Sequence, residues 1–131
     1  MAIWDKGIVV DAAHSEKNKR TEYQGVNLET GEIIFYNDIG YQTTNIGEFL
    51  ALVDGIKYII DHNVEPGRVF SDSNVAIAWV KRKAAATNKF TPAVAKAETY
   101  LKACSSFIDG IEIIKWDNKK WGENPADFGR K

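Results

Sequence analysis

The sequence predicts an α/β domain built on a five-stranded mixed sheet with helices packed on it. Three observations predict this. Strand-like segments come first, and a short glycine-containing turn joins two of them, as in antiparallel hairpins. Strand and helix signals then alternate, which favours parallel pairing across helical connections. In the longer segments apolar residues recur at i, i+3, i+4 and i+7, the spacing of a helix with one buried face.

The first strand covers about residues 7–13, where Gly7-Ile8-Val9-Val10 runs into Asp11. The second and third cover about 22–27 and 32–39, separated by Leu28-Glu29-Thr30-Gly31, whose glycine supplies the positive φ that such turns need. A helix over 45–61 carries Ile46, Phe49, Leu50, Val53, Ile56 and Ile60 on one stripe. Pro66-Gly67 then breaks the chain before a fourth strand at 68–71. Helices are expected over 73–83, with Trp79 in the core, and over 92–107, with Val94, Ala97, Leu101 and Cys104 on its buried stripe. Asp109-Gly110 stops the latter before a fifth strand at 111–116. Asn124-Pro125 is expected to open a last, very short helix, with Asn as N-cap and Pro at the first helical position. The first three strands are then antiparallel, and the fourth and fifth run parallel to the first. That topology sets Asp11 beside Asp72, at the strand ends where open α/β sheets place their sites.

The bulk numbers bound the reading. A chain of 131 residues fits one domain, spanning 1–131. Its 44% hydrophobic and 27% charged residues are ordinary for a globular protein and exclude a disordered or fibrous one. Lys+Arg 17 against Asp+Glu 18 leaves a net charge of −1, so the total gives no sign of a nucleic-acid partner and local clusters must decide. Those clusters are Lys17-Asn18-Lys19-Arg20, Lys81-Arg82-Lys83 with Lys89, Lys119-Lys120, and Arg130-Lys131. The single cysteine, Cys104, excludes an internal disulfide and suits a reducing compartment. The first residues, Met1 to Lys6, lack a basic-then-apolar leader, and no apolar run approaches the roughly 20 residues of a membrane span. The expectation is a soluble, cytoplasmic protein without membrane attachment or an obligate protein partner.

Four acids stand where a buried element should meet the surface: Asp11, Glu48, Asp72 and Asp127. Each has an ordinary structural explanation by itself. Asp11 suits a strand-end surface charge, Asp72 a helix cap, and Glu48 and Asp127 favourable charges in a first helical turn. Together, carboxylates delivered from separate strands and helices are what Mg²⁺ requires, a hard cation that takes oxygen ligands and keeps some of its waters.

The text around these residues is similar to a known family. Val9-Val10-Asp11-Ala12-Ala13, the run Thr43-Thr44-Asn45-Ile46-Gly47-Glu48-Phe49-Leu50-Ala51-Leu52, Phe70-Ser71-Asp72-Ser73-Asn74-Val75 and Asn124-Pro125-Ala126-Asp127 occur in that order. The chain resembles ribonuclease H of the type-1 kind over nearly its whole length. The resemblance implies a ribonuclease-H-like fold with helices on both faces of the sheet. It also implies metal-dependent hydrolysis of the RNA strand of RNA–DNA hybrids, with two Mg²⁺ ions, or Mn²⁺, held by Asp11, Glu48, Asp72 and Asp127. Thr43 would meet the DNA phosphate, Thr44 and Asn45 the bases or sugars near the cut, and Asn74 the minor groove. Lys81, Arg82, Lys119 and Lys120 would line the phosphate track.

The resemblance has departures. Ala12 replaces the usual glycine after the first aspartate. The family often carries a histidine in the loop before the last aspartate, yet no histidine lies between Trp116 and Asp127 here, and Lys119 and Lys120 occupy that stretch. His14, three residues after Asp11, is expected to point away from it, because strand side chains alternate. Two other readings therefore stay open: a non-catalytic module of the same fold that binds nucleic acid, and a related nuclease acting on DNA. Trp116 and Trp121 flank the basic loop and either pack beneath it or stack on substrate.

Overall fold

The computed structural model describes residues 6–85 and 91–128. Lys89, Arg130 and Lys131, expected to join the basic clusters, lie outside the described residues.

The sheet starts as a meander. β1 (Ile8–Ser15) pairs antiparallel with β2 (Arg20–Asn27), and β2 pairs antiparallel with β3 (Ile33–Asp38). Gly31 turns the second connection at φ 75°. The chain then enters α1 (Thr44–His62) and returns as β4 (Arg68–Ser71), which lies parallel to β1. α2 (Asn74–Arg82), α3 (Pro92–Ala103) and the single turn α4 (Ser105–Ile108) lead to β5 (Glu112–Lys115), parallel to β4. The strand order is β3-β2-β1-β4-β5, the mixed sheet the sequence predicts. A last one-turn helix, α5 (Asn118–Trp121), follows β5.

One face of the sheet carries most of the apolar core. Ile8, Val10 and Ala12 of β1, Tyr23 of β2 and Val69 of β4 meet the buried stripes of α1, α2 and α3. Trp79 packs edge-on against Phe49 at 5.8 Å, in the core as expected. α1 is seated very close to the strands. A Cβ on Gly47 would stand 2.8 Å from Thr21 Cγ2 and 3.1 Å from Ala12 Cβ, and one on Gly55 would stand 2.9 Å from Val69 Cγ2. The two glycines lie about two turns apart, on one side of the helix, and only a missing side chain lets backbone and strand come this near.

The other face is covered differently. Val9, Val26, Phe70, Trp116 and Ala126 form a smaller cluster, with Trp121 of α5 packed against it. Helices thus lie on both faces, but among the described residues the second face is covered by one turn of helix and a stretch of coil.

Two expected elements and the burial of one residue differ. The helix expected over 92–107 breaks at Cys104, whose φ of −101° and ψ of 20° separate α3 from α4. Cys104 is only half-buried there, where the sequence suggested a buried thiol. No helix starts at Asn124 among the described residues: Pro125 and Ala126 form a turn, and the Asp127 amide donates to the Asn124 carbonyl at 2.9 Å. The helix of this region forms earlier instead, where the Asp117 side chain accepts from the amides of Lys119 and Lys120 at 3.0 and 3.1 Å.

Candidate metal centre

β1 and β4 bring the first two acids level. Val9 and Phe70 are register partners, so Asp11 and Asp72, two residues further along each chain, come side by side. Asp11 is fully buried. Asp72 follows directly on the last residue of β4 and is half-buried. It does not cap α2. That role falls to Ser73, whose hydroxyl accepts from the Ala76 amide at 3.1 Å. The cap explanation for Asp72 therefore fails, and its side chain stays at the strand end. The Lys115 ammonium, on the neighbouring strand, donates to the Asp72 carbonyl.

The third acid arrives on α1. Thr43 is the N-cap and its hydroxyl accepts from the Ile46 amide at 3.2 Å. Gly47 lets the first turn press onto β1 and β2, so Glu48, 5% exposed, comes down beside Asp11. One carboxylate oxygen from each of Asp11, Glu48 and Asp72 lies within 4.8 Å of the other two. Three carboxylates this close repel one another, most strongly where burial removes water, and a divalent cation relieves that repulsion. The donor set is all oxygen and hard, which fits Mg²⁺ or Mn²⁺ and not a soft metal.

Asp127, the fourth expected ligand, is not in this group. It is half-buried in the turn after Asn124, over the same face of the sheet as Asp11. The structure brings three of the four sequence-predicted carboxylates together and leaves the fourth nearby on coil.

The expected substrate contacts lie on α1, α2 and α5. Thr44 and Asn45 are exposed in the first turn of α1, beside the capping Thr43. Asn74 is exposed at the start of α2. Lys81 and Arg82 are exposed in the last turn of α2, where the Arg82 guanidinium donates to the Ala84 carbonyl. Lys119 and Lys120 are exposed on α5. Trp116 is buried and donates from Nε1 to the Gly122 carbonyl at 3.0 Å, and Trp121 packs edge-on against it and Phe70. Both tryptophans support the basic loop from beneath.

His14 is directed elsewhere, as alternation requires. Its Nδ1 meets the Thr21 hydroxyl at 2.8 Å, its Nε2 meets Glu16 at 2.9 Å, and its ring stacks on Tyr41. The hydrogen bond from His14, then that from Tyr41, holds the Glu16 carboxyl below the usual carboxylate range.

Sequence reasoning missed two polar residues on this face. Asp11 pairs with Gln24, and Ala13 with Glu22, so both β2 side chains share the pleat face of Asp11. Gln24 is 8% exposed and donates to the Ala126 carbonyl at 2.7 Å. Glu22 is 4% exposed and is met by Arg20 at 3.1 Å and by the Tyr36 hydroxyl. The available signal was their alternation with Tyr23 and Gly25, which places them on one face without saying that coil covers it.

No model of a known protein family matches the chain. Solved structures do. LC11 ribonuclease H1, isolated from compost by a metagenomic approach, superposes with a TM-score of 0.59 at 14% identity, covering 88% of this chain and 87% of its own. The same protein in complex with an RNA/DNA hybrid gives 0.57 at 14%, covering 86% of each chain. The N-terminal ribonuclease H domain of a Mycobacterium tuberculosis protein, fused to maltose-binding protein, gives 0.51 at 15%, covering 86% of this chain and 81% of that one. The chain has the ribonuclease H fold.

Proposed function

We propose that this chain is a metal-dependent ribonuclease H that hydrolyses the RNA strand of RNA–DNA hybrids. The observation that carries the reading is the meeting of Asp11, Glu48 and Asp72 within 4.8 Å, from three separate elements of this fold. These three residues would hold the ion, with Asp127 completing a two-ion site. Bound Mg²⁺ or Mn²⁺ would supply the positive charge that lowers the pKa of an attacking water and stabilises the oxygen leaving phosphorus.

The chain's own residues do the rest. Asp11 and Glu48, buried and fixed by strand and helix, orient the centre without side-chain reorganisation. At the N-terminus of α1, where helix amides can meet an anion, Thr43 takes the DNA phosphate, and Thr44 and Asn45 take the bases or sugars near the cut. Asn74 reaches the minor groove, where the 2′-hydroxyl tells RNA from DNA. Lys81, Arg82, Lys119 and Lys120 are exposed cations that draw phosphates towards the centre, and the affinity they provide falls as salt rises.

One observation favours a second reading, a hybrid-binding module with little or no turnover. Asp127 stands outside the group of three, and the loop from Asp117 to Asn124 brings lysines where the family often has a histidine. A cleavage assay separates the two. Labelled RNA–DNA hybrid, duplex DNA and duplex RNA are incubated with Mg²⁺ or Mn²⁺. The expected result is cutting of the RNA in the hybrid alone, abolished by EDTA. Tight hybrid binding without metal-dependent cleavage would establish the module instead, and cleavage of duplex DNA would establish a DNA nuclease.

A further inference from the structure

The coil that carries Asp127 crosses the sheet strand by strand. Asn124 Nδ2 donates to the Val10 carbonyl on β1 at 3.1 Å. Gln24 Nε2, on β2, donates to the Ala126 carbonyl at 2.7 Å. The Phe128 ring packs edge-on against Tyr36 on β3 at 6.3 Å. Asn124 also closes its own turn, its Oδ1 accepting from the Ala126 amide at 2.8 Å. Asp11, Gln24 and Tyr36 are successive register partners, so they form one row across β1, β2 and β3 on one face. Directly paired residues hold their Cβ atoms about 4.5–5.5 Å apart. The peptide group before Asp127 is therefore tied to the residue standing next to Asp11.

We infer that Gln24 is a positioning residue for Asp127: its side-chain amide grips the Ala126 carbonyl and so sets where the Asp127 carboxylate stands relative to Asp11. Among the described residues no helical ladder carries Asp127. Side-chain amides on buried Gln24 and Asn124, 8% and 3% exposed, do the work of a helical turn. Burial shields these bonds from competition by water, and leaving the carbonyl without its donor costs the desolvation of that group. The inference rests on the metal-centre reading above, in which Asp127 completes the ligand set.

Gln24→Met keeps the length and bulk of the side chain and removes the donor; Gln24→Leu is a second donor-free variant. Mn²⁺ binding to the metal-free full chain is measured by calorimetry for the parent, Gln24→Met, Asp127→Asn and the double variant. Loss of the donor is expected to weaken Mn²⁺ binding about tenfold, the lower end of what lost outer-shell partners cost. In the Asp127→Asn background it is expected to change nothing further, because it acts only through Asp127. Amide exchange supplies a readout free of metal: the Asp127 amide, bonded to the Asn124 carbonyl, is expected to exchange faster in Gln24→Met while the amides of α1 keep their protection. Parent-like Mn²⁺ affinity in Gln24→Met, or a loss that persists undiminished beside Asp127→Asn, overturns the inference. A parent that binds no Mn²⁺ at all sinks the metal-centre reading, and the role of Gln24 at that centre with it; faster exchange at Asp127 in that case shows that the clip itself is real.

Discussion

The two faces of the sheet are held by different physics. Towards α1, α2 and α3, the strands present Ile8, Val10, Ala12 and Val69, and stability comes from apolar area removed from water. Towards the C-terminal coil they present Asp11, Glu22 and Gln24 beside a small apolar cluster around Phe70 and Trp116. There, burial of polar groups is tolerable only where hydrogen bonds or ions compensate it. The difference teaches a division of labour. The helix face provides the free energy that keeps three carboxylates crowded together, and the coil face uses it to hold charges where a cation would sit.

If that division is right, changes on the two faces have opposite signatures. Asp72→Asn should produce the largest effect. It removes one carboxylate from the group of three that would hold the ion, and hybrid cleavage is expected to fall on the order of a thousandfold, about 4 kcal/mol in the barrier. The metal-free protein should melt no lower than the parent, because one of three mutually repelling charges is gone. A variant that cleaves at the parental rate would remove Asp72 from the centre. Leu101→Ala, on α3, should do the reverse. Leu101 is fully buried in the helix-side core, and its truncation is expected to lower stability by about 3 kcal/mol in urea denaturation. Mn²⁺ affinity and cleavage below the midpoint should be parental. A loss of metal affinity in the folded variant would mean that the two faces are coupled through the sheet.

The helix face was the legible one. The period of Ile46, Phe49, Leu50, Val53 and Ile56 marked α1 to within a residue at each end, against the observed Thr44–His62. The candidate site was legible where an acid stands in or beside a recognisable element: Asp72 directly after β4, Glu48 near the start of α1, and Asp11 inside β1, where full burial replaces the expected strand-end surface charge. It faded where the chain relies on contacts between distant positions. Gln24 and Ala126 are 102 residues apart, and nothing local in either predicts their bond. β2 is buried on both sides from Thr21 to Val26, so a polar residue there looks solvent-facing by alternation and is not. α1 starts one residue earlier than the expected 45, capped by Thr43, because Thr43, Thr44 and Asn45 are all good caps and local propensity does not choose among them. The break at Cys104 and the turn at Asn124 belong with these: both interrupt sequences of acceptable local propensity.

The smallest expected effect tests whether the helix face tolerates a charge for lack of anything better. Asp54 on α1 is half-buried and accepts from the Tyr23 hydroxyl, which in turn accepts from Asn37 Nδ2 at 3.1 Å. Burial pushes the Asp54 carboxyl above its ordinary value; the Tyr23 hydrogen bond and the nearby Lys57 and Lys96 pull it back only in part. A raised folded pKa means that the folded state favours the protonated acid. The stability this group contributes is present below the ordinary carboxylate pKa and is lost as pH rises through the raised value. Ionised Asp54 is thus a net cost at neutral pH. Asp54→Asn keeps an acceptor for Tyr23 and removes the charge. It is expected to raise the melting temperature by a few degrees at most at pH 7, with the gain shrinking as pH falls towards 3 and the parental carboxyl protonates. Hybrid cleavage should not change, since Tyr23 and Asp54 lie on the face opposite Asp11. A variant that melts lower than the parent at pH 7 would show that the charge-assisted bond to Tyr23 outweighs burial, and that this face, too, depends on a placed charge.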